Sequence, residues 1–275
     1  MRILRVTALI LAVASILFCG WATHTYNQKQ NHDVPVLTTE VDLLEISVKD
    51  KDAALLSGLS AYDKTDGDLT EQIMVASTSH FIEPGVVNVK YVVFDSHNNS
   101  ATLTRKVKYT DYQSPRFSIS KAPVYVKGKA FDLMDYIEVE DDLDGEISDR
   151  IRTLSSAVSN YMTGDFPLTL QVTNSCGDSE RIELMVTYLE NEPNVEIQLK
   201  EYILYLEEGA TFDPEAQIKY AAAGGEAIPF EYIAVEGTLD VNTPAFYHLT
   251  YKYTDGNNHG QTNRTVVVGK AGDAA

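Results

Sequence analysis

Cysteine is nearly absent from the 275 residues: Cys19 lies in an apolar N-terminal run and Cys176 in a turn far along the chain, so no disulfide framework is expected. Basic residues are also scarce, 22 Lys and Arg against 40 Asp and Glu, for a formal net charge of −18. That balance excludes nucleic acid as a partner, because a binder needs a basic stripe to displace counterions from phosphate. It suits a solvated surface and leaves room for a divalent cation. The six histidines, His24, His32, His80, His97, His248 and His259, show no metal-ligand spacing, and none stands beside a Gly-x-Ser-x-Gly nucleophile turn. No catalytic constellation emerges, and a row of small β domains offers little of the deep cleft that paired-carboxylate catalysis uses. The chain reads as a non-enzyme with no catalytic or cofactor-binding residues.

What is present is period-two alternation. Val87, Val89, Tyr91 and Val93 fall on one face of a strand, turn formers follow from Asp95 to Ser100, and Leu103, Arg105, Val107 and Tyr109 alternate on the return. The same hairpin recurs around Asn174 and around Asp255. The turn-opening residues are 79 and 81 positions apart (174 minus 95, 255 minus 174). A near-constant period implies three copies of one domain, each large enough for a sandwich to bury its own core. The expected domains are 33–111, 113–190 and 192–270, opened by Pro35, Pro115 and Pro193. The short joints Gln113-Ser114 and Asn191-Glu192 predict a semi-rigid string.

Arg2 and Arg5 precede an uncharged, mostly apolar run from Val6 to Ala22, and charge returns only at Lys29. Residues 1–28 therefore read as a signal anchor or transmembrane segment, N-terminus inside, leading into a polar stalk. Gly20-Trp21-Ala22 offers small residues to a signal peptidase, and cleavage there would release a secreted protein. Phe18 before Cys19 disfavours a lipoprotein.

Each of the first two repeats carries an acidic glycine turn, Asp63-Lys64-Thr65-Asp66-Gly67-Asp68 and Asp141-Asp142-Leu143-Asp144-Gly145-Glu146. The third keeps only Gly224-Gly225-Glu226 at the corresponding place. Two readings stand side by side. Asp63, Asp66, Asp68, Asp141, Asp142, Asp144 and Glu146 supply hard oxygen ligands for calcium, although the spacing is not that of an EF-hand. Alternatively the aspartates cap tight turns through Asx hydrogen bonds, with Gly67 and Gly145 at positive φ. Tyrosine is concentrated in the third repeat. Tyr247, Tyr251 and Tyr253 alternate inward, His248 faces outward, and Tyr202 and Tyr205 stand nearer the domain's edge as freer contact residues.

The D-x-x-D-G-D/E-[LI]-[TS] loop, the later Gly85 and Gly164 before an alternating strand, and the D-S-x-x-N turn together resemble bacterial immunoglobulin-like domains. More narrowly, they are similar to the group of unknown function that also occurs on pesticidal crystal toxins and is related to hyalin-type repeats. Gly209-Ala210-Thr211-Phe212-Asp213-Pro214 is the matching entry phrase of the third repeat. The resemblance implies a seven-stranded or similar β-sandwich for each repeat, so the expected fold is all-β, three tandem Ig-like β-sandwiches after the N-terminal transmembrane helix read above. It implies surface or secreted modules and carries over no catalytic residue. The expected role is a membrane-attached extracytoplasmic spacer, binding or adhesion module for an unknown protein or glycan. In that role the third repeat is the candidate binding tip; a calcium-rigidified rod and an accessory module of a surface enzyme system are the alternatives.

Overall fold

The computed structural model describes residues 13–23, 33–50 and 52–269. Residues 13–23 are helical, and among the described residues no helix is long and apolar enough to cross a membrane. Most of the expected anchor over 1–28 lies outside the described residues. The described residues from Val36 to Gly269 form β strands joined by turns and short 3-10 helices. The chain divides into two compact units between Lys108 and Tyr109.

The first unit holds one sandwich. Its smaller sheet has the order β1 (Val36–Thr39), β3 (Leu59–Asp63), β4 (Gly67–Asp68). The larger has the order β2 (Leu43–Ile46), β7 (Ser100–Tyr109), β6 (Val86–Phe94), β5 (Met74–Thr78). The alternation read from the sequence is the burial pattern, since Val87, Val89, Tyr91 and Val93 are each 0% exposed. Leu59, Ala61, Leu69, Ile73 and Val107 close the core from the other elements.

The second unit repeats this plan twice. In the second sandwich β8 (Arg116–Ile119) and β11 (Gly145–Glu146) flank β10 (Ile137–Asp141), opposite a sheet ordered β12 (Arg152–Ser156), β13 (Gly164–Thr173), β14 (Ser179–Leu189), β9 (Val124–Val126). In the third, β15 (Val195–Leu199) and β18 (Glu226–Ala227) flank β17 (Ile218–Ala223). Its larger sheet is ordered β16 (Ile203–Glu207), β21 (Asn258–Gly269), β20 (Ala245–Asp255), β19 (Ala234–Glu236). Seven strands in a three-plus-four arrangement make each an Ig-like sandwich. A register shift between Val75 and Ser77 in β5 returns between Thr153 and Ser155 in β12, a bulge inherited with the repeat. The short strands β9 and β16 pair parallel to the closing strands β14 and β21.

Alternation misplaces one residue type. Arg105 sits on the inward face of β7 and is 2% exposed, and Arg264 on β21 is 1% exposed. Neither guanidinium is left dry of partners. Arg105 donates to the carbonyl oxygens of Ser57 (2.7 Å) and Leu55 (2.8 Å) and lies 5.2 Å from the Tyr91 ring centre. Arg264 Nε donates to the Glu201 carbonyl at 2.8 Å, with the Tyr251 ring 5.9 Å away. The strand register places Arg105 opposite Val89 and Arg264 opposite Leu249, and puts Leu184 opposite Leu168 at the same position of the second sandwich. The first and third cores thus share a buried Arg–Tyr pair that the second replaces with leucines.

Candidate functional site

The acidic turns fold as capped ribbons. Asp63 is 1% exposed, and its Oδ1 accepts the backbone N–H groups of Thr65 (2.8 Å) and Asp66 (3.0 Å). Gly67 follows at φ 82°, a conformation that costs other residues a Cβ clash. Asp141 repeats the arrangement with Leu143 and Asp144 (3.0 and 2.8 Å), and Gly145 stands at φ 72°. In the third sandwich the ribbon turns two residues after Ala223, with Gly224 and Gly225 both at positive φ, so it needs no acidic cap.

Asp66 and Asp144 reach the neighbouring hairpin turn. Asp66 accepts from Ser96 N at 2.7 Å and Ser96 Oγ at 2.9 Å, and Asp144 accepts from Ser175 N and Oγ at 2.7 and 2.6 Å. Burial pushes the Asp144 carboxyl up, but the bonds from Ser175 and the ion pair with Arg150 outweigh it and hold the acid below its ordinary range. Asp68 and Glu146 turn aside to accept from the backbone N–H of Thr70 (2.9 Å) and Ser148 (2.8 Å). Asp142 accepts from the backbone N–H of Gln113 at 2.8 Å, tying the joint before β8 to the turn. The seven acidic residues therefore do not converge on a single point in either repeat.

The structure brings other residues to two of them. In the first sandwich Asp66, Asp95 and His97 each present a ligand atom within 4.8 Å of the others. Burial raises the Asp95 carboxyl, yet the Asn99 amide and the N–H groups of Asn99 and His97 together hold it lower than an ordinary aspartate. In the second sandwich Asn174 donates to Asp141 Oδ2 (3.0 Å) and to Tyr112 Oη (2.9 Å), and Tyr112 donates to Asp178 (2.6 Å). Burial, with Asp178 second, pushes the Tyr112 hydroxyl's pKa far up. Sequence reading treated Asp95 and Asn174 as turn openers only. The signal that they join the acidic loops was their shared period, 78 residues between Asp66 and Asp144 (144 minus 66) and 79 between the turn openers.

The second and third sandwiches meet along a packed seam, which corrects the expectation of freely exposed Tyr202 and Tyr205. Both pack against the second sandwich's core, together with Ile203, Phe246 and Val267. Tyr205 Oη accepts the Phe117 backbone N–H at 3.0 Å, Arg116 lies 5.3 Å from its ring centre, and burial pushes its pKa up to about 12. His248, expected in solvent, is a seam residue as well. Its side chain is 22% exposed, with Nε2 3.9 Å from Glu183 and Nδ1 3.3 Å from Thr265 Oγ1. Burial lowers its pKa against the opposing pull of Glu183 and Asp165. Beside the seam opens a cleft of ≈ 540 Å³, whose lining includes Arg116, Glu138, Glu140, Lys200, Glu201 and Tyr202. Tyr251, by contrast, is 0% exposed in the core, as its place in the alternation required.

Two stretches, residues 55–108 and 199–268, match the model of the Ig-like domain of bacterial surface proteins. They cover most of the first sandwich and nearly all of the third, the two that share the buried Arg–Tyr pair, so the resemblance read from the hairpins holds there. A curated relative, the pesticidal crystal protein Cry22Aa of Bacillus thuringiensis, is 27% identical over 206 residues, which span 72% of this chain and 27% of the relative. The chain thus spans little more than a quarter of that relative's length. Among solved structures, the Clostridium perfringens ZmpB M60 catalytic domain with its CBM51-1 and CBM51-2 domains is similar at 13% identity and a TM-score of 0.25, covering 88% of this chain and 31% of that one. Drosophila N-cadherin EC1-3 is similar at 11% identity and a TM-score of 0.29, covering 84% and 98%. Scores this low carry no inference about fold or ligand.

Proposed function

We propose that this chain is a non-enzymatic binding module of the bacterial cell exterior, held at the membrane through its N-terminal apolar segment. The observation that carries the reading is the match of the first and third sandwiches to surface Ig-like domains. The basic and apolar pattern of the first 28 residues supports attachment, with the bulk of the chain outside.

Within the second unit, the seam cleft is the binding site of this reading. Its walls mix guanidinium, ammonium and carboxylate groups with a tyrosine face, and the seam fixes both walls in one compact body. Such a lining suits a hydroxyl-rich glycan, whose rings stack on an aromatic face while its hydroxyls bond to charged side chains.

Two measurements test the reading. Protease treatment of intact cells should remove the chain while it co-sediments with membranes, and a chain found in the cytosol would overturn it. Glycan-array binding by the full chain should fall when Arg116→Ala or Lys200→Ala strips the cleft walls. Unchanged binding in both variants would remove the cleft from the proposal.

A further inference from the structure

The first and second sandwiches carry equivalent acidic turns, and only the second is electrostatically balanced. Asp144 faces Arg150, and Asp141 Oδ2 receives the Asn174 amide at 3.0 Å. At the matching positions the first sandwich has Gln72 instead of Arg150 and Asp95 instead of Asn174, so the cation and the turn amide are gone. Asp63 records the loss. It is 1% exposed, and its Oδ2 is buried with no hydrogen-bond partner. Its counterpart Asp141 turns that same oxygen to Asn174, the position that Asp95 occupies in the first sandwich. A buried carboxylate oxygen without a donor is costly.

A cation resolves that cost, and the ligand types decide which. Calcium takes six to eight oxygens and has no use for an imidazole. Two carboxylates and an imidazole suit a borderline divalent ion, held by three protein groups with a fourth position left to water. The three ligand atoms lie within 4.8 Å of one another. Arms of about 2.0–2.1 Å ask for tetrahedral edges of about 3.4 Å, and the exposed His97 ring supplies the closing movement by rotation. Outer hydrogen bonds already orient the set. Ser96 holds Asp66, the Asn99 amide holds Asp95 at 2.7 Å, and Ser96 Oγ lies 3.0 Å from His97 Nδ1.

We propose that Asp66, Asp95 and His97 of the first sandwich form a binding site for a divalent cation of the zinc class, with the buried Asp63 in the same turn as Asp66. The site belongs to the first repeat alone, because Arg150 and Asn174 fill its place in the second. The ligand set also differs from the acidic-loop set expected for calcium, since it takes its imidazole and one carboxylate from the hairpin turn.

The test is calorimetric titration of the full chain with zinc chloride and, separately, with calcium chloride. Zinc should bind at a site that His97→Ala weakens by at least about tenfold. The paired change Asp95→Asn with Asn99→Asp, which installs the second repeat's own turn residues, should abolish it. The unfolding transition of each metal-free variant, read in the same calorimeter, should stay at or above the wild-type position, which keeps lost binding distinct from lost fold. Absence of zinc binding by the wild-type chain, zinc binding indifferent to His97→Ala, or calcium binding as tight as zinc would each overturn the proposal.

Discussion

Replacing Arg105 by alanine should unfold the first sandwich well before the rest of the chain. The guanidinium is buried at 2% exposure and bridges two loop carbonyls, Ser57 at 2.7 Å and Leu55 at 2.8 Å. Leu55 O keeps a second donor in the Tyr91 hydroxyl at 2.8 Å, whereas Ser57 O receives Arg105 alone among the side chains of the described residues. A bond from a charged donor contributes about 1.5–3 kcal/mol and an orphaned buried carbonyl costs about 1–3 kcal/mol. Relief of the guanidinium's own desolvation offsets part of this. The net loss is roughly 2–4 kcal/mol, or a fall of about 10–25 °C in the midpoint of a domain this size. Differential scanning calorimetry of the full chain should show that fall in one transition only. Arg105→Lys, whose single ammonium cannot bridge both carbonyls, should lose about half as much. A fall of less than roughly 3 °C for Arg105→Ala would mean that the loop carbonyls find water and that the arginine does not organise the core.

Further predictions concern the second unit and the acidic turns. His248 has a folded pKa below its ordinary 6.5, so the unfolded chain binds the extra proton first as pH falls. The second unit's midpoint should therefore drop as pH is lowered from 6.5 towards the folded pKa, and His248→Gln should flatten that part of the profile. Gly260 lies so close to β15 that an added Cβ would stand 2.3 Å from the Val195 carbonyl oxygen. Gly260→Ala should cost about 1–3 kcal/mol, read as an earlier second-unit transition. Because Asp141 accepts two backbone N–H groups and the Asn174 amide, Asp141→Ala should destabilise the second sandwich by about 1–3 kcal/mol. Millimolar calcium should not restore it, and a calcium-dependent midpoint lost in that variant would make the turn a metal site.

Much of this was legible because a half-buried antiparallel pair writes its burial into the sequence with period two. Val87 to Val93 and the turns at Asp95, Asn174 and Asp255 placed the long hairpins β6–β7, β13–β14 and β20–β21 without help from tertiary structure. The buried arginines were not legible, since alternation marks a face and says nothing of the loop carbonyls that make an inward guanidinium tolerable. His248 and Tyr205 escaped for a related reason: each lies on a face that is outward for its own sandwich and inward for the pair, while Tyr202, in the turn before β16, packs on both cores. The candidate cation cluster was half visible. Asp63 and Asp66 stood out in the acidic turn, but Asp95 and His97 joined them only when folding set the ribbon against the hairpin.

The parallel pairing of β16 with β21 runs from Ile203 opposite Thr265 to Glu207 opposite Gly269. A parallel pair has the start of one strand and the end of the other at opposite extremities. Tension applied between the beginning and the end of this sandwich therefore slides the two strands along each other and loads their hydrogen bonds at once. Antiparallel strands pulled from a shared end would instead open one bond at a time. A domain held at one side and tugged at the other yields late and all together.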